Sequence, residues 1–161
     1  ECLARNISLN TCSERITIIP LPLSDQSGVS KMQIGNSTWG GSLSCFDKGI
    51  DYNGKDIISE IEYNIFGVTM DDAISWFGFP SPDYIKIDVD GIEHYILSGS
   101  KGTLHTVKGL LVEVNDTFLE QADQVGNLLE ASGFELRKKE HSEMFDKSKL
   151  YSSFFNQIWE K

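Results

Sequence analysis

The densest concentration of potential chemistry lies in Tyr84-Ile85-Lys86-Ile87-Asp88-Val89-Asp90-Gly91-Ile92-Glu93-His94, and a smaller set, Glu113, Asn115 and Asp116, follows the next apolar run. Carboxylates and an imidazole so spaced can accept a proton, hold the hydroxyls of a ligand, or bind a hard cation through oxygen. Their order does not match a calcium-binding loop and no Cys or His spacing marks a zinc site, so no metal ligand is assigned. The sequence has neither a phosphate-binding loop nor a Gly-x-Ser-x-Gly nucleophile elbow, which argues against a nucleotide phosphatase and a serine hydrolase. Each residue also has a purely structural reading. Asp88 is equally suited to an Asx turn that satisfies local N–H groups, Glu93 to capping a first helical turn, and His94 to a partly exposed helix position.

These residues form a site only if the chain brings them together. Tyr84 to Val89 has the β-branched content of a central strand, and Asp90-Gly91 turns it into a helix carrying Ile92, Tyr95 and Ile96, which Gly99 and Gly102 interrupt. Alternation sets Lys86 and Asp88 on one strand face and Ile85, Ile87 and Val89 on the other. Lys86 reads as an ion-pair or snorkelling residue, with a ligand clamp as the sharper alternative. Leu110 to Val114 is the next strand. Thr117 and Glu120 suggest a capping box for a helix in which Leu119, Ala122, Val125, Leu128 and Leu129 recur at helical spacing before Gly133. Phe134-Glu135-Leu136 and Phe154 to Trp159 are the final strand candidates. A helix separates two β-like runs twice in succession, so an α/β fold with a mostly parallel sheet is expected. Asp88 and either Glu113 or Asn115 would then share the crevice beyond the carboxyl strand ends.

Upstream, residues 1 to 10 read as the tail of a helix and Ile16 to Leu21 as a buried strand. Val29 to Ile34 alternates weakly, and Gly35 to Ser42 reads as a surface loop whose Trp39 either covers a substrate or anchors the loop. Ile57 to Tyr63 is a further strand candidate. Thr69 and Asp72 suit the start of a short helix that Gly78 ends, and Trp76 and Trp159 read as packing residues.

A chain of 161 residues suits one hydrophobic core. Its formal charge of -10 disfavours a nucleic-acid partner, and Arg137-Lys138-Lys139, followed by Glu140, reads as a solvated segment. The odd, scattered set Cys2, Cys12 and Cys45 points to reduced thiols. With no apolar run of about 18 residues and no signal-peptide pattern, the expectation is a cytoplasmic protein without a membrane partner. The chain starts at Glu1, without an initiator Met, which admits a fragment.

Asp83 to Glu93, followed by Ile96-Leu97-Ser98-Gly99, closely resembles the signature of FkbM-type S-adenosylmethionine-dependent methyltransferases. Weaker matches in the same order are Asn6 to Asn10, Leu23 to Gly28, Val68 to Asp72, Leu110 to Asn115 and Phe155 to Trp159. The resemblance implies a class I methyltransferase domain, a Rossmann-like sheet with an antiparallel final strand, that methylates hydroxyl oxygens of small molecules or sugars with S-adenosylmethionine as cofactor. It implies that Ser24 and Asp25 border the adenine and that Asp88 lies near the methionine portion and the acceptor. Glu93 and Glu113 would shape the pocket, Asp88 or His94 would take the acceptor proton, and Trp39, Asp90 and Asn115 complete the candidate pocket. Two departures stand out. Asp90 occupies a position where the family often has Glu, and the family's opening strand, glycine-rich cofactor loop and ribose-binding acid have no counterpart here. Residues 1–161 are therefore expected to be a methyltransferase domain incomplete on its N-terminal side. Such a domain would bind cofactor weakly and self-associate through an uncovered sheet edge. The competing expectation is a non-catalytic sugar-binding or assembly module that keeps the fold.

Overall fold

The computed structural model describes residues 1–39, 41, 43–141 and 152–161. Helix α1 (Cys2–Leu9) leads into an extended stretch and then β1 (Gly28–Ile34), β2 (Ser44–Phe46) and β3 (Ile61–Gly67), which form an antiparallel sheet in the order β2-β1-β3. Helix α2 (Met70–Phe77) follows. Its start is the expected one: the Thr69 hydroxyl accepts from the Asp72 N–H at 3.0 Å, and Gly78 closes it in the left-handed region.

The second sheet carries the residues of interest. β4 (Tyr84–Ile87) feeds α3 (Glu93–Ser98) and the short α4 (Lys101–Leu104). β5 (Gly109–Asn115) feeds α5 (Leu119–Ala131), and β6 (Glu135–Glu140) and β7 (Phe154–Glu160) complete the order β4-β5-β7-β6. β4 and β5 are parallel, joined by a helical crossover as expected. The expectation of a mostly parallel sheet is corrected. β7 inserts antiparallel between β5 and β6, so β5 and β6 run the same way without touching, and β4 with β5 is the one parallel strand pair among the described residues. A crossover helix fixes the direction of the strand it returns to, but not whether a later strand slips between them.

Apolar side chains alternate toward one face of this sheet. Leu110, Val112 and Val114 of β5 and Trp159 of β7 pack with Leu97 of α3 and with Val125 and Leu129 of α5 to make the core. Three further expectations change. Ile16 to Leu21 is not a buried strand but an extended segment with Ile16, Ile18 and Ile19 exposed, because no described strand lies beside it; its continuation at Leu23 makes a single parallel bridge to Val68. The strand expected at Ile57 to Tyr63 starts later, at Ile61. The Thr117–Glu120 box does not form: the Thr117 hydroxyl donates instead to Asn115 Oδ1 at 2.7 Å, and α5 starts after Phe118 without a side-chain cap.

Trp159 is buried as expected, whereas Trp76 is half exposed and only tilts against Phe66, since α2 lies at the periphery. The basic run on β6 is solvated and paired, Arg137 with Glu135, Lys138 with Glu140 and Lys139 with Asp116. The cysteines are unbridged. No described helix is long and apolar enough to cross a membrane.

Candidate functional site

The parallel register places the polar strand tips at one end of the sheet. Ile87 pairs with Val112, so Asp88 and Glu113, one step further on each strand, emerge side by side. Asp88 and Asp90 line a cavity of about 420 Å³ together with Val89, Ile92 and Ile96 from the start of α3. Leu21, Pro22 and Leu23 supply its opposite wall, with Met32, Ser44 and Phe46 from the antiparallel sheet. The cavity thus has an acidic rim and a largely apolar lining, the usual composition of a small-molecule site.

The electrostatics of that rim are unbalanced. Burial pushes the Glu113 carboxyl up, and the charges of Asp88 and Asp90 push it further; the Lys86 ammonium offsets this only in part. Lys86 bonds to Asp88, which agrees with its ion-pair reading. Asp90 is committed to the scaffold: its Oδ2 accepts from the backbone N–H of Leu43 at 2.8 Å and of Ser44 at 3.3 Å, tying the start of β2 to the end of β4. Gly91, at φ +105°, lies where a Cβ would come within 2.7 Å of the Asp51 carbonyl oxygen.

Behind the rim lies a buried polar relay. Glu93 is 1% exposed and its carboxyl is pushed up to about 8 by burial, against hydrogen bonds that include one donated by Gln121 Nε2. Gln121 Oε1 in turn accepts from the Asn115 N–H at 2.9 Å. Asn115 spends its side chain on the Tyr52 carbonyl, at 2.9 Å, and on Thr117. Glu93 and Asn115 therefore brace the ends of β4 and β5 from behind.

Ser24 is buried and its hydroxyl donates to Asp25 at 3.0 Å. Asp25 also pairs with Lys48 at 2.8 Å. Its burial raises the carboxyl pKa, but the hydrogen bonds from Lys48 and Ser24 outweigh that and hold it below the ordinary range. Lys48 bridges to Asp47 and sits 4.6 Å from the centre of the Tyr95 ring. This cluster locks the segment after Leu23 against α3, beside the cavity rather than inside its lining.

His94 corrects the expectation of a partly exposed position. It is 1% exposed, tilted against Tyr95 and edge-on to Phe118 with ring centres 4.1 and 5.9 Å away, and burial lowers its pKa. Neither ring nitrogen has a hydrogen-bond partner, and His94 is not among the residues that line the cavity. Trp39 is 80% exposed and is likewise not in that lining. Among the described residues no three His, Cys, Asp or Glu side chains converge as metal ligands.

Two functional-looking groups escaped sequence reasoning. Gln121 carried a usable signal, an amide standing at i, i+4, i+8 with the buried Val125 and Leu129. Lys48 carried none, because an adjacent Asp47 is commonplace and its other partner, Asp25, is distant in sequence and meets it only in the folded chain.

Comparison with known families decides what this arrangement belongs to: residues 1–146 match the methyltransferase FkbM domain. The chain is a member of the FkbM methyltransferase domain family. No curated protein and no solved structure matches it significantly. Membership in the FkbM family covers the β4–α3 signature, Ser24-Asp25 and the β5 tip in one stretch, and it makes methyl transfer the general chemistry of the fold.

Proposed function

We propose that the domain transfers a methyl group from S-adenosylmethionine to a hydroxyl oxygen of a small molecule or sugar, with the cavity between Leu21–Leu23 and Asp88–Asp90 as the site. The observation that carries this reading is the unbalanced carboxylate rim: Asp88 and Asp90 line a largely apolar cavity of about 420 Å³, and Glu113, outside that lining, feels both their charges. Such a rim suits a ligand that is cationic at one end and flat and apolar at the other. S-adenosylmethionine answers to that description through its sulfonium and α-ammonium groups and its adenine. On this reading the second sheet is one side of a Rossmann-like sheet, with its ligand at the carboxyl strand ends.

The roles follow from position. Asp88 faces the cationic portion with Glu113 beside it, Leu21, Pro22 and Leu23 border the adenine with Ser24 and Asp25 supporting them from behind, and Asp90, Glu93 and Asn115 hold the rim in shape. When bound, the cofactor supplies an electrophilic methyl. The acceptor oxygen must lie opposite the departing sulfur, within an apolar wall that excludes competing water. As the oxygen–carbon bond forms, the hydroxyl proton passes to Asp88, the strand-tip carboxylate that lines the cavity. His94, sealed behind that wall, acts through packing instead.

Titration calorimetry with S-adenosylhomocysteine tests the site. Residues 1–161 hold no glycine-rich loop for tight backbone approach, so the expected dissociation constant is on the order of 0.1 to 1 mM, and Asp88→Asn should weaken it about tenfold. Saturable binding of a glycan with no response to either nucleoside would replace the enzyme reading with that of a carbohydrate-binding module.

A further inference from the structure

We propose that the methyl acceptor lies on the cavity wall formed by Met32, Ser44 and Phe46, and that this wall takes a planar aromatic alcohol, a phenol, in preference to a sugar. The inference rests on the methyl-transfer reading, in which Asp88 and Leu21–Leu23 hold the cofactor and the antiparallel sheet, which supplies the remaining wall, has no other part. Met32 of β1 stands opposite Phe46 of β2 on one side and Tyr63 of β3 on the other. The three side chains therefore form one row across the sheet, on the face turned to the cavity. The fold makes room for that row. The Phe46 ring lies over Gly67, where a Cβ would stand 2.3 Å from its Cε1 atom, so a larger residue there would force the ring off the sheet. Two aromatic rings flanking a thioether suit a flat π-system.

The scarcity of polar groups sets the class of acceptor. Asp90 Oδ2 is held by the N–H groups of Leu43 and Ser44, and Asp88 faces the reacting centre. The Ser44 hydroxyl, which makes no hydrogen bond to another described residue, is the polar side-chain group that this wall offers. It can orient one acceptor oxygen. A pyranose brings several hydroxyls, and each one left without a partner weakens binding by about tenfold. Proton transfer points the same way. A carboxylate is a weak base, and a phenol, with a pKa of about 10, yields its proton to one far more readily than an aliphatic hydroxyl does. The phenolic oxygen forms its bond to the methyl carbon as the carbon–sulfur bond breaks, and its proton goes to Asp88.

Proton–carbon NMR of the chain labelled at its methionine methyls reads this wall without turnover. 2-Naphthol should shift the Met32 methyl saturably, with a dissociation constant on the order of 1 mM, and methyl α-D-glucopyranoside should leave it unmoved at the same concentrations. Gly67→Ala, which drives the Phe46 ring off the sheet, should weaken naphthol binding by about tenfold. If that variant misfolds, Ser44→Ala stands, with an expected loss of about fivefold. Calorimetry with S-adenosylhomocysteine, with and without naphthol, separates the possible failures. Nucleoside binding undisturbed by naphthol supports the acceptor wall. Nucleoside binding while the Met32 methyl ignores naphthol, tighter binding of the glucoside, or an unchanged affinity in Ser44→Ala overturns the proposal and leaves the cofactor reading standing. Naphthol that displaces the nucleoside occupies the cofactor's place and also overturns it. Naphthol bound at Met32 with no response to the nucleoside overturns the acceptor role by removing the cofactor reading itself.

Discussion

Glu93 shows how far a single side chain can depart from its role as read in sequence. Its place after Asp90-Gly91 suggested a helix cap, whereas it points into the interior, where burial keeps it protonated near neutral pH against the opposing hydrogen bond from Gln121. Because its folded pKa, about 8, lies above the ordinary 4.5, the native state binds a proton that the unfolded chain releases. Stability from this group is therefore greatest below pH 4.5 and falls as the pH rises toward 8. Denaturant unfolding at pH 5 and pH 8 should show a loss of at most about 4 kcal/mol from this carboxyl. Glu93→Gln, which keeps the acceptor for Gln121 and cannot ionise, should remove most of that loss and be the more stable protein at pH 8. An unchanged slope in the variant would mean that Glu93 is charged in the native state. Legibility at this scale followed the backbone. Strand alternation set Asp88 apart from Ile87 and Val89, and the parallel register brought Asp88 beside Glu113. The burial of His94 and the Asp25–Lys48 pair depended on neighbours distant in sequence, for which no local pattern exists.

At the scale of elements, the end of α3 abuts the Ser24–Asp25 backbone, and Gly99 makes that approach possible. A Cβ at Gly99 would stand 2.2 Å from the Ser24 carbonyl oxygen, a backbone atom that cannot swing aside. Gly99→Ala should therefore cost roughly 2 to 4 kcal/mol of stability and weaken nucleoside binding by pushing Leu23 from the cavity wall. Gly126, inside α5, offers the contrast. A Cβ there meets nothing within 4 Å, so Gly126→Ala should stabilise the protein by about 0.5 to 1 kcal/mol through helix propensity. Thermal melts of the two variants check both signs, and a neutral Gly99→Ala would show that α3 is free to retreat. Sequence periodicity identified α2, α3, α5, β4, β5 and β7 because each carries its own apolar pattern or cap. It misjudged Ile16 to Leu21, whose β-branched composition describes a strand but supplies no partner. It also passed over β2, three residues whose pairing to β1 depends on the anchor from Asp90.

For the whole molecule, the ionisable groups divide into two sets with opposite pH dependence. Asp71 is the clearest member of the first: burial raises its carboxyl pKa, but hydrogen bonds from the Thr103 hydroxyl and from the N–H groups of Gly102 and Thr103 more than compensate, so the pKa is lowered overall. Asp25 and Asp47 are lowered too, with Lys48 between them. Stability from these three is complete above their unfolded value of 3.8 and is lost as the pH falls through their folded values. Glu93 and Glu113 form the second set, raised by burial, and their contribution declines as the pH rises above 4.5. Repulsion from a net charge of -10 grows over the same interval, above a pI near 4.6. The rising slope is spent just above pH 3.8 and the falling one sets in near 4.5, so the protein should be most stable at about pH 4 to 5 rather than at neutrality. Urea midpoints measured from pH 4 to pH 8 in dilute solution, to avoid precipitation near the pI, should peak in that window. The peak should move toward neutral pH in Glu93→Gln, and Asp71→Asn should lower the whole curve while flattening its acidic side. A maximum at pH 7 or above in the wild-type chain would mean that neither Glu93 nor Glu113 keeps a raised pKa in the folded state.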